Sequence, residues 1–147
     1  MLVAQRMTRN PMTITPETAV SVAISLMAAG RIHHLPVVTT DNHLIGIVSD
    51  RDLRLATRAP VLPVDDPYAS APMLTDLCVG DVMTETVVTV APGTTLLEAS
   101  QMMRNHRISC LPVLLDDQLV GIITKTDLFY FFLELLETRG ARLFWDY

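Results

Sequence analysis

Few residues in this 147-residue chain have the types and spacing to do chemistry. The clearest are two runs, Ser49-Asp50-Arg51-Asp52 and Thr124-Lys125-Thr126-Asp127, each with a hydroxyl residue followed three positions later by a carboxylate. That spacing belongs to a helix start, where the hydroxyl caps a backbone N–H and the carboxylate is favoured by the helix dipole. A helix N-terminus is itself a favourable place for an anionic ligand, so capping and binding are compatible roles for these residues. His33 and His34 are a possible metal pair, but neighbours on a strand point to opposite faces. No Cys, His or carboxylate lies at ligand spacing from them, so a satisfied or exposed pair is the better reading. Cys110, beside Leu111 in an apolar run, reads as a core thiol. Catalysis needs an activated nucleophile, a positioned acid–base pair or a metal. None stands at a recognisable spacing, so the chain is read as not an enzyme.

What positions these residues is an internal repeat. Met7, Thr8, Thr13, Pro16, Thr18, Ala23, Met27, Arg31, Ile32, Leu35, Pro36 and Val37 recur 76 positions later, from Met83 to Val113. After a one-residue deletion the offset falls to 75, and Asp41, Leu44, Gly46, Ile47, Asp52 and Leu53 match Asp116, Leu119, Gly121, Ile122, Asp127 and Leu128. In each copy a helix follows Thr15-Pro16 or Ala91-Pro92, with a core stripe of Val20, Ala23 and Met27 or of Leu96, Ala99 and Met103. Thr95 to Glu98 has the form of a capping box, and Gly30 ends the first helix. Arg31 and Arg107, at the helix exits, read equally well as solvated residues or as ligand contacts.

Strands are expected at Ile32–Val38 and Ile108–Leu115, then a turn at Asp41-Asn42 or Asp116-Asp117, then strands at Leu44–Ser49 and Leu119–Thr124. Second helices should open at Asp52 and Asp127, and short first strands should lie at Met12–Thr15 and Val87–Val90. The order in each copy is β-α-β-β-α. One copy is too small to cover its own sheet, so the expected fold is α/β (α+β), with two tandem repeats packed around a pseudo-twofold axis. The boundaries are a first repeat at 1–57, a connector at 58–78 carrying Pro60, Pro63 and Pro67, a second repeat at 79–136 and a tail at 137–147. The tail ends in Leu143, Phe144, Trp145 and Tyr147, an apolar excess that needs cover.

Half of the residues are apolar, 18% are charged and 5% aromatic, the composition of a globular chain with an aliphatic, Met-rich core. The net charge is −5 with no cluster of Lys or Arg, which disfavours nucleic acid and acidic membrane surfaces as partners. Cys78 and Cys110 sit singly, as in a reducing compartment. Met1 to Asn10 lacks a signal-peptide core. The apolar run Leu128–Leu133 is too short to span a bilayer, and the chain reads as cytoplasmic.

Two signatures stand in both copies: Ile32-His33-His34-Leu35-Pro36-Val37 with Gly46-Ile47-Val48-Ser49-Asp50-Arg51-Asp52-Leu53, and Ile108-Ser109-Cys110-Leu111-Pro112-Val113 with Gly121-Ile122-Ile123-Thr124-Lys125-Thr126-Asp127-Leu128. They resemble CBS domains, the repeats named after cystathionine β-synthase. The run Thr126-Asp127-Leu128-Phe129 followed by a Leu/Glu helix also resembles the small stand-alone pairs grouped with acetoin-utilisation proteins.

The resemblance implies two clefts between the paired repeats, which in many members take AMP, ADP, ATP or S-adenosylmethionine as regulatory ligands, with no cofactor required. It makes Asp52 and Asp127 the acceptors for ribose hydroxyls, helped by Ser49 and Thr124, since a carboxylate offers lone pairs to two adjacent hydroxyls. It places Met12, Ile32, Ile47, Val88, Ile108 and Ile122 along the adenine walls, and His33, Arg51, His106, Arg107, Ser109 and Lys125 around phosphates. Asp50 departs from the pattern of the second copy, and its carboxylate should weaken a multiply charged phosphate nearby. The implied function is a nucleotide-responsive regulator, a homodimer acting on a separate, unidentified protein. The alternative is a ligand-free assembly or interaction module. An enzyme acting on an adenylate would require turnover to be seen.

Overall fold

The computed structural model describes residues 1–57 and 77–143, with side chains through Thr138. Most of the expected connector and the aromatic tail end, Phe144, Trp145 and Tyr147, lie outside the described residues. The elements are β1 (Thr8–Arg9), α1 (Val20–Gly30), β2 (His34–Val38), β3 (Leu44–Ser49), α2 (Asp50–Ala56), α3 (Leu96–His106), β4 (Cys110–Leu115), β5 (Gln118–Thr124) and α4 (Lys125–Leu143). Single turns of 3-10 helix open each repeat, at Val3–Gln5 and Val79–Asp81.

Each repeat is a helix, an antiparallel hairpin and a second helix, as the sequence leads one to expect. β2 pairs with β3 from His34 opposite Ser49 to Val38 opposite Leu44, and β4 pairs with β5 from Cys110 opposite Thr124 to Leu115 opposite Gln118. Both hairpins shift register at the same place, between Val37 and Val38 and between Val113 and Leu114. Backbone with positive φ closes the turns, at Asn42 in one and at Asp116 and Asp117 in the other, where Asn and Asp tolerate the left-handed region.

Three local expectations are corrected. The stretches Met12–Thr15 and Val87–Val90 are not strands; each makes one parallel bridge, Ile14 to Val37 and Val90 to Val113. The hairpin strands β2 and β4 begin two residues later than expected, at His34 and Cys110. α2 and α4 begin at Asp50 and Lys125, two residues before the expected openings, because Ser49 and Thr124 are the caps and Asp52 and Asp127 already stand in the first turn. Gly30 ends the first helix as expected, and the left-handed residue that follows it is Arg31 (φ 50°); Arg107 (φ 56°) does the same after α3.

The described chain forms two compact units, one of residues 12–57 and 77–87, the other of residues 1–11 and 88–143. The segment that opens each repeat therefore joins the other repeat's core. Val79 is fully buried with Val20, Leu35, Val48 and Leu53 in the first unit, and Val3 is fully buried with Leu96, Met103, Leu111 and Ile123 in the second. Backbone bonds hold these straps, from Val79 N to Thr18 O at 2.8 Å and from Val3 N to Thr94 O at 2.8 Å. The second unit adds β1 against β5 and a forked ion pair, Arg6 to Glu134 at 2.8 and 2.6 Å, with the Arg6 guanidinium over the Phe131 ring.

The capping box read at Thr95 is present. Glu98 Oε2 accepts from the Thr95 N–H at 2.9 Å and from its hydroxyl at 2.8 Å, and Thr95 Oγ1 accepts from the Glu98 N–H at 3.2 Å. These bonds hold the Glu98 carboxyl below its usual range. A depressed carboxyl pKa stabilises above the unfolded value, so this contribution is lost as pH falls through the folded one. Thr95→Ala is expected to cost about 1 kcal/mol, read as a lower melting temperature at pH 7.

Candidate ligand-binding site

The candidate residues gather where each hairpin runs into its second helix. In the first unit the pairing of His34 with Ser49 closes the hairpin, and Asp50 N–H donates to His33 O at 3.0 Å. In the second, Cys110 pairs with Thr124, and Lys125 N–H donates to Ser109 O at 2.9 Å. The two mouths are thus built from the same backbone frame. They bring together His33, Ser49, Arg51 and Asp52 in one unit, and Ser109, Thr124, Lys125 and Asp127 in the other.

The capping reading holds at both. Asp52 Oδ2 accepts from the Ser49 N–H at 2.9 Å and from its hydroxyl at 2.7 Å, and Ser49 Oγ accepts from the Asp52 N–H at 3.2 Å. Asp127 Oδ2 accepts from the Thr124 N–H at 2.7 Å and from its hydroxyl at 2.8 Å, with the return bond at 3.3 Å. One oxygen of each carboxylate does all of this. The other, Oδ1, accepts no hydrogen bond among the described residues, and both side chains are half-buried. A carboxylate held by one oxygen with the second open is oriented to accept from a donor outside the chain.

The surrounding charges differ between the units. Asp50 Oδ2 lies 3.4 Å from His33 Nδ1 and 3.5 Å from an Arg54 guanidinium nitrogen. The carboxylate flagged as a departure is therefore already shared with His33 and Arg54 of its own unit. Arg54 was missed by motif reasoning; the only signal for it was the i,i+4 spacing from Asp50. Burial lowers the pKa of His34, against the opposing pull of Asp50 and Asp52. Lys125 holds the equivalent of the Asp50 position in the second unit and is exposed.

Of the expected wall residues, Ile47 and Ile122 stand two positions before the capping hydroxyls, on the same strand face. Each is covered by its strap: Ile47 exchanges backbone bonds with Thr84 at 3.0 and 2.9 Å, and Ile122 pairs with Thr8. Ile32 and Ile108 are half-buried against the cores, as is Val88, whereas Met12 is exposed. Met12, Val88, His106 and Arg107 have no side-chain hydrogen bond or ion pair to the mouths among the described residues, so no such bond ties them to Asp52 or Asp127. Cys110 is buried and its thiol is pushed up to about 12, so it stays protonated at neutral pH. No group of three or more His, Cys, Asp and Glu is placed to hold a metal among the described residues, and none of their helices is long and apolar enough to cross a membrane.

Both repeats match the family model for the CBS domain, over residues 3–59 and 79–134. The chain belongs to the CBS-domain family. A CBS domain-containing protein of Dictyostelium discoideum is 36% identical over 137 residues, 92% of this chain and 94% of that protein. A Vibrio cholerae protein provisionally assigned to acetoin utilization (AcuB) has a similar solved structure, with TM-score 0.78 and 36% identity over 96% of both chains. CBSX2, solved in complex with AMP, is similar at TM-score 0.71 and 27% identity, over 91% of this chain and 97% of that one. The doubled hairpin-and-helix unit is thus a CBS pair. Its likeness to the Vibrio cholerae chain agrees with the resemblance to the acetoin-utilisation type.

Proposed function

We propose that this CBS pair binds an adenine nucleotide at its hairpin mouths and signals the occupied state to a separate protein. The observation that carries the reading is the open Oδ1 of Asp52 and of Asp127, in the same frame in both units. The similar CBSX2 is solved with AMP, so AMP is the first ligand to test. In this reading Oδ1 accepts from the ribose hydroxyls, and Arg51, His33 and Lys125 meet the phosphate end. Ile32, Ile47 and Ile108, each half-buried, give the base an apolar surface, whereas Ile122 is buried behind β1. The ligand is a regulator and not a substrate. It acts by binding two states of the pair unequally.

A second reading, assembly without a ligand, draws on α4. Phe129, Tyr130, Phe132 and Leu136 each expose half or more of their surface, more apolar area on one helix than a solvated face needs. We favour a homodimer that covers this face and a cytoplasmic setting in either case.

The test is calorimetric titration of nucleotide-stripped protein with AMP, ADP, ATP and S-adenosylmethionine, beside Asp127→Ala and Asp52→Ala. Each variant should fold, at a cost of about 1 kcal/mol for the lost cap. At its own site each should weaken binding by about tenfold or more, the loss of a charge-assisted acceptor. Absence of binding by the parent protein at millimolar ligand would remove this reading and leave assembly in its place.

A further inference from the structure

The straps carry a feature that nucleotide binding does not use. Met7 and Met83 hold matching places in them, 76 positions apart, and each lays its sulfur on a strand glycine of the hairpin it covers. A Cβ at Gly121 would stand 2.5 Å from Met7 Sδ, and one at Gly46 would overlap Met83 Sδ. The sulfur thus fills the space that a strand side chain would take. A strap carbonyl borders the same space, Thr8 O at 3.0 Å from the first Cβ position and Thr84 O at 3.2 Å from the second.

The described methionines differ in setting. Met27 and Met103 are buried in the two cores, out of reach of solutes, whereas Met1 and Met12 are exposed, where an added oxygen is solvated. Met102, on α3, is half-buried against the second core. Met7 and Met83 combine partial exposure with a place between strap and strand. Oxidation there has a structural consequence, because a sulfoxide oxygen needs a donor or water. On the first hairpin the nearby backbone groups are engaged: Ile47 N–H donates to Thr84 O at 3.0 Å, and Thr84 N–H donates to Ile47 O at 2.9 Å. On the second, Thr8 pairs with Ile122, and Asn10 N–H donates to Val120 O at 3.2 Å. The added oxygen faces a carbonyl acceptor and reaches water only by swinging the side chain off the glycine. Packing alone is the competing explanation, since methionine fills irregular gaps.

We propose that Met7 and Met83 are paired modification sites, at which a hydroperoxide converts the thioether to a sulfoxide and releases the strap from its hairpin. The sulfur lone pair attacks a peroxide oxygen. The S–O bond forms as the O–O bond breaks, and the departing oxygen leaves as water or an alcohol with the hydroxyl proton. Sulfur is oxidised by two electrons and the peroxide is reduced by two; methionine sulfoxide reductases, one for each epimer, restore the thioether.

The test treats the full chain with hydrogen peroxide, as Cys78→Ser so that the half-buried thiol beside Val79 does not contribute. Peptide mass spectrometry locates the added oxygen. Hydrogen exchange follows the amides of Val3 and Val79, which bond the straps to Thr94 O and Thr18 O at 2.8 Å. The expected result is sulfoxide at Met7 and Met83, exchange about tenfold faster at both amides and a melting temperature lower by about 5 °C. Reductase treatment should reverse all three. Met7→Leu combined with Met83→Leu, of nearly the same volume, should keep slow exchange after the same treatment. Unchanged thioethers at Met7 and Met83 when Met1 and Met12 are fully converted would overturn the proposal. So would sulfoxide at both sites without faster exchange, or equal loosening in the leucine variant, which assigns the effect to Met102. No nucleotide is present, so the outcome is independent of the ligand reading.

Discussion

A chain carrying Val3→Asp is expected to lose about 4 kcal/mol or more of stability, the cost of burying a carboxylate with no partner. Residues this close to a terminus ordinarily fray and tolerate change. Val3 should not, because it is fully buried among Leu96, Met103, Leu111 and Ile123. The chain on either side is fixed: Ala4 N–H donates to Pro92 O at 3.0 Å, and Leu96 N–H donates to Met1 O at 3.0 Å. Shifting the introduced carboxylate out to water would mean undocking the strap and uncovering the second core. Urea unfolding followed by circular dichroism reads the cost, with Val3→Thr as a control of nearly equal volume that should lose far less. A midpoint for Val3→Asp equal to that of the parent chain would show that the strap is not docked in solution. Val79→Asp, 76 positions on, should behave alike in the first unit, since Val79 is equally buried.

The straps are also what the sequence concealed. The repeat was legible because a dozen identities recur at one spacing, and the hairpin mouths followed from it, since strand pairing must bring His34 to Ser49 and Cys110 to Thr124. Periodicity, however, reports local neighbours. Nothing in the types of Val3 or Val79 says that each enters the core of the repeat it does not begin. The left-handed residues were hidden for a similar reason. Gly30 is the natural candidate, but the helix continues through it, and Arg31 N–H closes back on Ala28 O at 3.3 Å before Ile32 meets the core. The capping pairs were read correctly as residues, and their helix openings were misplaced because the carboxylate was taken as the first residue when it is the third. Arg54 escaped because its partner, Asp50, was weighed only against a ligand.

Gly121→Val is expected to cost about 3 kcal/mol, and Gly121→Ala about 1 kcal/mol. A Cβ at Gly121 would lie 2.5 Å from Met7 Sδ, 3.1 Å from Met7 Cγ and 3.0 Å from Thr8 O. The thioether can swing aside, since methionine adapts readily. The carbonyl belongs to the backbone of β1, paired with β5, and moves only with the strand. For alanine the crowding is mild, and reduced freedom of the unfolded chain offsets part of it. Valine adds two methyl groups that cannot coexist with Met7 and that push on the Thr8 carbonyl, so the β1 pairing gives way. Met7→Ala in the Gly121→Val background separates the two obstacles. It should recover less than half of the loss, measured as the coupling in a double-mutant cycle of chemical unfolding. Full recovery would make the methionine the whole obstacle, and no loss in Gly121→Val would mean that β1 does not approach this closely. Gly46 faces Met83 and Thr84 O in the same way, and the same cycle there reads the first unit's strap.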